Sequence, residues 1–335
     1  MTPHTTLHEL FESFNSVTAL IVGDVMIDSY LWGKTSRISP EAPVPVVNVI
    51  KREKRLGGAA NVALNIQSMG ATPILCSVIG ADKDGNELKR LLEDKNLTSA
   101  GLVSSEERIT TIKHRVISSG QHVLRIDSEM EDNLSHDLNQ QLIERYVQLL
   151  PQADVVIFED YDKGVLNPGN IKELIRLANE QGIPTIVDPK KKNFLCYKGV
   201  TLFKPNLKEL REGLKVEVEV EETHEFEAAV QLLRDKLQAD AILVTLSEHG
   251  VFCLSDSIKA YLPAHLRSIA DVSGAGDTVV SIAALCLALD TDLRLLSALA
   301  NMGGGLVCEQ VGVVPIDKDL LYKEALEEDL LKVIA

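Results

Sequence analysis

The stretch from Asp271 to Thr278 reads DVSGAGDT and runs directly into Val279 to Leu289, an apolar segment with the composition of a buried helix. A helix that begins near Gly274 leaves its first backbone N–H groups without intrahelical partners, so they can face an anion. The small residues Gly274-Ala275-Gly276 would let a phosphoryl group approach the backbone, and Asp277 adds a possible proton acceptor. The stretch therefore predicts a phosphate cradle, although a glycine turn before a helix with a capping aspartate explains it equally well.

Apolar strand-like runs alternate with helical segments along most of the chain. Val17 to Val22 is a continuous apolar run, typical of a strand buried on both faces, and the alternation becomes regular from Leu134 onward. This pattern predicts an α/β fold with a parallel core sheet flanked by helices. Ligand sites in such folds lie beyond the carboxyl ends of the strands. Polar residues follow the predicted strand ends at Asp24, Asp160, Asp188, Asn206 and Thr245.

A second group of β-rich segments does not fit the parallel alternation. Thr110 to Ser118 and His122 to Asp127 read as a hairpin, joined by residues 119–121. Val44 to Ile50 follows Pro43 and contains Pro45, which favours an edge strand or an excursion away from the main sheet. We expect the segments 43–51 and 109–128 to form a small antiparallel lid inserted into a single domain that covers residues 1–335.

Two segments follow the first lid strand. The mixed-sign run Lys51 to Arg55 is typical of a solvated turn. The next residues, Gly57-Gly58-Ala59-Ala60-Asn61, are predicted to open a helix that Gly70 closes.

Composition excludes several classes of function. The net charge of −15 disfavours nucleic acids and anionic membranes as partners. The five cysteines form no Cys-x-x-Cys pair and read as reduced, buried thiols. The N-terminal segment lacks the continuous apolar core of a signal peptide, and no apolar run is long enough to span a bilayer. We expect a cytoplasmic protein.

Familiar nucleotide and metal motifs are missing from the sequence. It has no Gly-x-x-x-x-Gly-Lys-Ser/Thr loop, no Gly-x-Gly-x-x-Gly after the first strand and no protein-kinase signature. Its eight histidines are dispersed, and no cluster of histidine and cysteine predicts a metal site. A P-loop enzyme and a dinucleotide-dependent dehydrogenase are therefore disfavoured, and no residue is predicted as a direct metal ligand.

The two glycine motifs, at Gly57 to Asn61 and Asp271 to Thr278, resemble in order and separation the two signatures of the ribokinase-like (PfkB) carbohydrate kinases. Within that family the heptose-7-phosphate kinases, which serve lipopolysaccharide synthesis, are the most similar. That resemblance rests on Gly23 to Asp28, on Thr35 to Val47 (TSRISPEAPVPVV) and on Asp160-Tyr161-x-Lys163-Gly164. It implies a ribokinase-like fold and an ATP-dependent kinase that phosphorylates D-glycero-D-manno-heptose 7-phosphate at its C1 hydroxyl.

The resemblance also implies roles for individual residues. Asp277 would be the catalytic base, and the amides of Gly274, Ala275 and Gly276 would stabilise the transferred phosphoryl group. The sugar would lie against Asp24, Asp28, Gly57, Gly58 and Asn61. The nucleotide with its magnesium ion would meet a further set of residues: Asn206, Leu207, Lys208, Glu209, Thr245, Ser247, Gly250 and Asn301.

A phosphorylated substrate also needs cationic donors, because the overall field of the protein is negative. The basic candidates are on the lid and on loops at the sheet end, where each could equally be solvated. They are Lys113, Arg115, Arg125, Lys163 and Lys190.

Longer members of this group carry a C-terminal nucleotidyltransferase domain with a His-x-Gly-His type motif, which the 335 residues lack. We therefore expect a kinase activity alone, with ATP and a sugar phosphate as ligands, a monovalent cation as an optional further ligand, and a homodimer formed through exposed lid edges. Two alternatives stay open. One is a kinase of another sugar, sugar phosphate or nucleoside, and the other is a non-catalytic sugar-binding regulator on the same fold.

Overall fold

A computed structural model describes residues 6–118, 121–265 and 267–330. The strands are β1 (Thr18–Gly23), β2 (Val25–Ile38), β3 (Pro45–Gly58), β4 (Thr72–Gly80), β5 (Leu102–Ser105), β6 (Thr111–Ser118), β7 (Gln121–Ser128), β8 (Val155–Glu159), β9 (Thr185–Asp188), β10 (Leu202–Phe203), β11 (Ala241–Thr245), β12 (Val251–Ser255) and β13 (Lys259–Leu262). The helices are α1 (Leu7–Ser13), α2 (Ala59–Ser68), α3 (Lys83–Glu93), α4 (His136–Leu149), α5 (Ile171–Glu180), α6 (Leu207–Leu214), α7 (Thr223–Leu237), α8 (Ala275–Ala288), α9 (Leu293–Val307) and α10 (Lys318–Glu327). None of the described helices combines the length and the apolar character that crossing a bilayer requires.

The main sheet has nine strands in the order β13-β12-β11-β10-β9-β8-β1-β4-β5. Its strands from β11 to β5 pair in parallel, whereas β12 and β13 are added as an antiparallel hairpin at one edge. Parallel neighbours need crossover connections, and helices supply most of them here. The α/β fold with a parallel core and flanking helices is therefore confirmed.

The central strand β1 is buried on both faces, as its continuous apolar sequence predicts. Leu20 and Ile21 are both fully buried, but they belong to two different hydrophobic clusters. The cluster around Ile21 includes side chains of α2, α8 and α9, and the cluster around Leu20 includes those of α4, α5 and α7. Successive side chains on a strand point to opposite faces, so one apolar run serves two helical layers.

A second sheet of four strands, in the order β3-β2-β6-β7, forms the lid. It is mixed rather than antiparallel, because β2 pairs antiparallel with β3 but parallel with β6. It is also larger than predicted: β2 and β3 each have 14 residues. Ser119 and Gly120, in the predicted turn of the hairpin, lie outside the described residues.

The prediction of a solvated turn at Lys51 to Arg55 is wrong, since these residues continue β3. As an edge strand, β3 can carry charged side chains that stay in contact with water. Arg55 also packs over the Tyr30 ring, 4.9 Å from its centroid, and donates a hydrogen bond of 3.0 Å to the Val313 carbonyl. Local charge pattern could not reveal these cross-strand contacts.

Burial on both faces of β1 makes a testable prediction about stability. Leu20→Ala and Ile21→Ala should each lower the free energy of unfolding by about 2–5 kcal/mol, since each leaves a cavity in a separate helical layer. Leu326→Ala is the matched control, because that side chain is exposed on α10 and should cost under about 0.5 kcal/mol. Chemical denaturation measures all three, and a small loss for either buried variant would contradict the two-layer arrangement.

Candidate active site

The predicted phosphate cradle forms the start of α8. Gly274 precedes the helix in the left-handed region, with a φ of +84°, a conformation that glycine adopts at low cost. Ala275, Gly276 and Asp277 then form the first turn, so their backbone N–H groups lie among those without intrahelical acceptors. The sequence prediction of a helix beginning near Gly274 is confirmed to within one residue.

The Asp277 carboxylate is 4% exposed and is held by two other elements. Its Oδ2 accepts a hydrogen bond of 2.6 Å from Asn61 Nδ2 on α2, and its Oδ1 accepts one of 2.8 Å from the Tyr161 hydroxyl after β8. Burial raises the pKa of Asp277 to about 6, and the hydrogen bonds from Asn61 and Tyr161 oppose this rise. The carboxylate is thus oriented and largely ionised at neutral pH, as a general base requires.

Asp28 lies close to the two glycines that end β3. It is 3% exposed, and its Oδ1 accepts hydrogen bonds of 2.7 and 3.1 Å from Nη2 and Nε of Arg115 on β6. A Cβ atom on Gly57 would lie 2.4 Å from Asp28 Oδ2, and one on Gly58 would lie 2.4 Å from the Asp24 carbonyl oxygen. Both positions therefore need glycine. They are the last two residues of β3, directly before α2.

Asp24 organises a loop, and its carboxylate oxygens already have partners. They accept hydrogen bonds of 2.8, 3.1 and 3.2 Å from the backbone amides of Tyr161, Lys163 and Val165. Burial, and then the nearby Asp160, raise the pKa of Asp24 to about 7. Asp24 therefore positions the Tyr161 loop, whereas a contact between Asp24 and a sugar stays a prediction.

The cradle faces a group of buried charges at the ends of β8 and β9. A Cβ atom on Gly276 would lie 3.3 Å from Oδ2 of Asp188, which is 3.2 Å from the buried Lys204 ammonium group. Lys190 lies 3.6 Å from Asp188 and 3.1 Å from Glu209. Although burial alone would raise it, Lys190 and Lys204 hold the pKa of Asp188 below its usual range. Two lysine ammonium groups are therefore near the cradle.

The predicted nucleotide residues gather beside the same sheet edge. Asn206 and Glu209 form a capping box at the start of α6, with two reciprocal hydrogen bonds of 2.8 Å. Thr245 at the end of β11 bridges to Asn206. Leu207 follows Asn206 in the first turn of α6.

Three more residues of the predicted nucleotide set follow this bridge in the sequence. Ser247 and Gly250 flank a tight turn and both have positive φ. A Cβ atom on Gly250 would lie 2.1 Å from the Leu262 carbonyl oxygen, so this position also requires glycine. Asn301 lies within α9, and it donates a hydrogen bond of 2.8 Å to the Pro263 carbonyl.

Three predicted basic residues pair with other side chains, and two of them are also largely exposed. Lys208 is largely exposed, 3.9 Å from Glu212. The Arg125 side chain is 57% exposed and pairs with Asp127. Lys163 donates hydrogen bonds of 2.8 Å to Glu129 and to Glu131. Of the lid residues predicted to hold a substrate phosphate, Arg115 is the one that reaches the buried Asp28 side of the site.

Sequence reasoning gave no role to Tyr161, Lys204 or Glu159. Tyr161 appeared only within a motif, and its hydroxyl reaches Asp277 because Asp24 fixes its loop. Lys204 follows directly after β10, and a lysine at the end of a buried strand is a signal that a carboxylate is near. Glu159 ends β8 in an otherwise apolar run, and burial raises its pKa well above the usual range.

Oxygen ligands for a hard cation are present at this site. One carboxylate oxygen each from Glu159, Asp188 and Asp277 lies within 4.8 Å of the others, and all three residues are buried. Such a donor set fits the magnesium ion that a kinase site implies, since Mg²⁺ prefers carboxylate oxygens. The sequence prediction named no direct metal ligand and so missed this cluster.

Comparison with known proteins places the chain among sugar kinases. The pfkB family of carbohydrate kinases matches residues 18–319. The bifunctional protein HldE of Citrifermentans bemidjiense is 38% identical over 307 residues, which are 91% of this chain and 63% of that protein. HldE of Desulfatibacillum aliphaticivorans is 40% identical over 318 residues, 95% of this chain and 65% of that protein. The chain thus spans just under two thirds of the length of these relatives.

Solved structures agree on the fold. Phosphofructokinase-2 from Escherichia coli in complex with potassium has a TM-score of 0.77 over 95% of this chain and 99% of that chain, at 20% identity. At this identity the likeness concerns the fold alone. Because the family match extends over most of the chain and relatives above 35% identity cover nearly all of it, this chain belongs to the pfkB family of carbohydrate kinases.

Proposed function

We propose that this chain transfers the γ-phosphoryl group of ATP to the C1 hydroxyl of D-glycero-D-manno-heptose 7-phosphate, giving the 1,7-bisphosphate for lipopolysaccharide precursor synthesis in the cytoplasm. Residues 1–335 would act as one kinase domain with its lid. The single observation that carries the kinase chemistry is the buried Asp277 carboxylate, oriented by Asn61 and Tyr161 in the first turn of α8. The choice of a heptose is supported by the similarity to the HldE proteins.

The residues of the site divide the reaction between them. Asp277 accepts the proton of the sugar hydroxyl while that oxygen bonds to the γ-phosphorus and the bond from this phosphorus to the bridging oxygen breaks, which releases ADP. The backbone amides of the α8 first turn would donate to the phosphoryl oxygens as charge develops. Lys190 and Lys204, which both lie near Asp188, would offset negative charge beside the first turn of α8.

Two further sets of residues would hold the ligands. Asp28 and the glycine backbone at Gly57 and Gly58 would fix the sugar, and Arg115 would bind its phosphate or orient Asp28. The segment Asn206 to Glu209, with Thr245 and Gly250, would bind the nucleotide. Magnesium, bound with ATP, would supply positive charge to the phosphates.

A homodimer through the lid completes the proposal. The lid exposes several apolar side chains, namely Val44, Val49, Ile50, Val123, Leu124 and Ile126. Exposed apolar faces on a sheet with open edges favour association with a second copy. Light scattering that gave the mass of a monomer would contradict this part of the proposal.

A substrate panel tests the proposed specificity. ADP release with D-glycero-D-manno-heptose 7-phosphate should exceed release with hexose phosphates, pentose phosphates, free sugars and nucleosides by at least about 100-fold in kcat/KM, since a site that pairs polar groups with its substrate strongly rejects analogues that leave them unpaired. A larger kcat/KM for another sugar would show that the chain is a kinase of that sugar instead. No turnover with any acceptor, despite sugar binding, would favour a non-catalytic regulator.

Replacing the proposed base tests the mechanism. Asp277→Asn should lower kcat by about 10²–10⁴-fold, because the amide cannot take up the hydroxyl proton. The fold should persist, since Asn61 Oδ1 has no hydrogen-bond partner among the described residues and could accept from the new amide after a flip of the Asn61 side chain. Steady-state kinetics with an unchanged melting temperature would support this role, whereas turnover close to wild type would exclude Asp277 as the base.

Arg115 and Arg125, the two lid arginines predicted to hold the substrate phosphate, give a matched pair of variants. Arg115→Ala should raise KM for the sugar phosphate by about 10–100-fold, as expected when a charge-assisted hydrogen bond in a buried site is lost. Arg125→Ala should have a smaller effect, because that side chain is mostly exposed and already paired with Asp127. An equal rise in KM in the two variants would contradict the prediction that Arg115, because of its buried position beside Asp28, is the arginine that contacts the substrate phosphate.

A further inference from the structure

Arg108 is a buried arginine whose hydrogen bonds connect two segments beside the site. It is 9% exposed and lies between β5 and β6, where the chain passes from the main sheet into the lid. Its Nη1 donates a hydrogen bond of 2.8 Å to the Asp132 carbonyl, and its Nη2 donates bonds of 2.5 and 3.5 Å to the carbonyls of Lys163 and Met130. Within the described part of the chain, this guanidinium group therefore joins backbone segments rather than side chains.

The backbone that carries Arg108 is fixed to the main sheet. Thr110 donates hydrogen bonds of 2.8 Å to the Asp82 carboxylate from both its amide and its hydroxyl group. The same hydroxyl accepts a bond of 3.1 Å from the amide of Gly80, the last residue of β4. Arg108 is thus two residues from an anchor on the sheet, so its side chain can hold other loops in a fixed position.

The two segments that Arg108 joins also pack tightly against each other. One follows the lid strand β7 and leads to α4, and the other is the loop after β8 that contains Tyr161. Gly164 in this loop has a φ of +86°, and a Cβ atom on it would lie 2.0 Å from the Asp132 carbonyl oxygen. Arg108 donates to that same oxygen. The Tyr161 loop is therefore held against the segment by which the chain leaves the lid.

The Tyr161 loop orients the proposed base. The Tyr161 hydroxyl donates its hydrogen bond of 2.8 Å to Asp277, and the Lys163 carbonyl in the same loop accepts from Arg108. Asp24 accepts a bond of 3.1 Å from the Lys163 amide, so it holds the loop by its N–H groups. Arg108 holds the loop by a carbonyl group, which gives the loop a second and separate anchor.

We propose that Arg108 is a positioning residue for phosphoryl transfer, which keeps the Tyr161 hydroxyl on Asp277 by fixing the backbone of the Tyr161 loop. This inference rests on the proposed function, because it takes Asp277 as the base. Arginine suits the task, since its planar guanidinium group presents several N–H donors in a fixed geometry, whereas the lysine ammonium group is a compact point charge. Arg108→Lys should therefore keep the positive charge but loosen the loop.

Fluorine NMR of protein labelled with 3-fluorotyrosine tests the structural step without turnover. Tyr161→Phe identifies the Tyr161 resonance among those of the six tyrosines. Arg108→Lys should shift this resonance, because the surroundings of the ring change when the loop moves. An unchanged Tyr161 resonance in Arg108→Lys would overturn the proposal.

Arg234→Lys is the matched control for both measurements. Arg234 also donates to two backbone carbonyls, those of Ala239 and Asp240, each at 3.2 Å. It lies in the last turn of α7, and its acceptors precede β11, at the end of the sheet opposite to the site. This variant should leave the Tyr161 resonance and kcat unchanged.

A double-mutant cycle tests the catalytic step. Arg108→Lys should lower kcat by about 10-fold and leave KM for ATP unchanged, since the hydrogen bond that orients the base is weakened. In the Tyr161→Phe background the same change should lower kcat by less than about 2-fold, because the contact through which Arg108 acts is already lost. A role in stability alone would give the same factor in both backgrounds, and that result would overturn the proposal.

A second variant keeps the test decisive if Arg108→Lys folds poorly. Arg108→Gln retains an amide donor without the charge, and it should show the same dependence on Tyr161 when kcat is measured below its melting transition. A wild type that turns over no acceptor would contradict the proposed function itself. An active wild type in which the substitutions at Arg108 and Tyr161 act independently would contradict the positioning role alone.

Discussion

The hydrogen bonds that Asn61 and Tyr161 donate to Asp277 connect three parts of the molecule. Asn61 comes from α2, directly after the glycines that end the lid strand β3, while Tyr161 follows the central sheet strand β8. The proposed base can therefore keep its orientation only while α2, the loop after β8 and α8 keep their relative positions. Further bonds from Thr278 and Ile316 to Asn65 strengthen the same junction.

Charge compensation is the second constraint on the site. Carboxylates crowd the carboxyl ends of β1, β8 and β9, where burial penalises the ionised form. Three of these carboxylates have different kinds of partner: Asp24 accepts from backbone amides, Asp188 lies beside lysines, and Asp277 accepts from neutral donors. These partners would allow the proposed carboxylate base and an anionic phosphoryl group to come together at neutral pH.

The lid carries a buried ion pair, proposed to contact the sugar phosphate, and an exposed apolar surface, proposed to join two subunits. Its inner side supplies Asp28 and Arg115, whose ion pair is largely buried. Its other surfaces expose apolar side chains such as Leu124 and Ile126. Asp24 alone separates the end of β1 in the main sheet from the start of β2 in the lid, so the two sheets are directly connected at the site.

Elements with local signals were predictable from the sequence alone. Continuous apolar runs predicted the strands buried on both faces, the glycines before Asp277 predicted the entry to α8, and the prolines predicted that β3 is an edge strand. These signals suffice because propensity and periodicity act within a few residues. The charge run at Lys51 to Arg55 misled the prediction because pairing with β2 outweighed local polarity.

The contacts between polar side chains of the site depend on the tertiary structure. Asn61 and Asp277 are 216 positions apart, and Arg115 and Asp28 are 87 apart, so no local pattern specifies either contact. The commitment of Asp24 to backbone amides, the pairing of Lys163 with glutamates and the unpartnered state of Glu159 within the described residues likewise depend on packing between elements. Side-chain type identifies the candidates for a site, but hydrogen-bond partners and burial are properties of the assembled fold, and these set the charge and orientation that the chemistry requires.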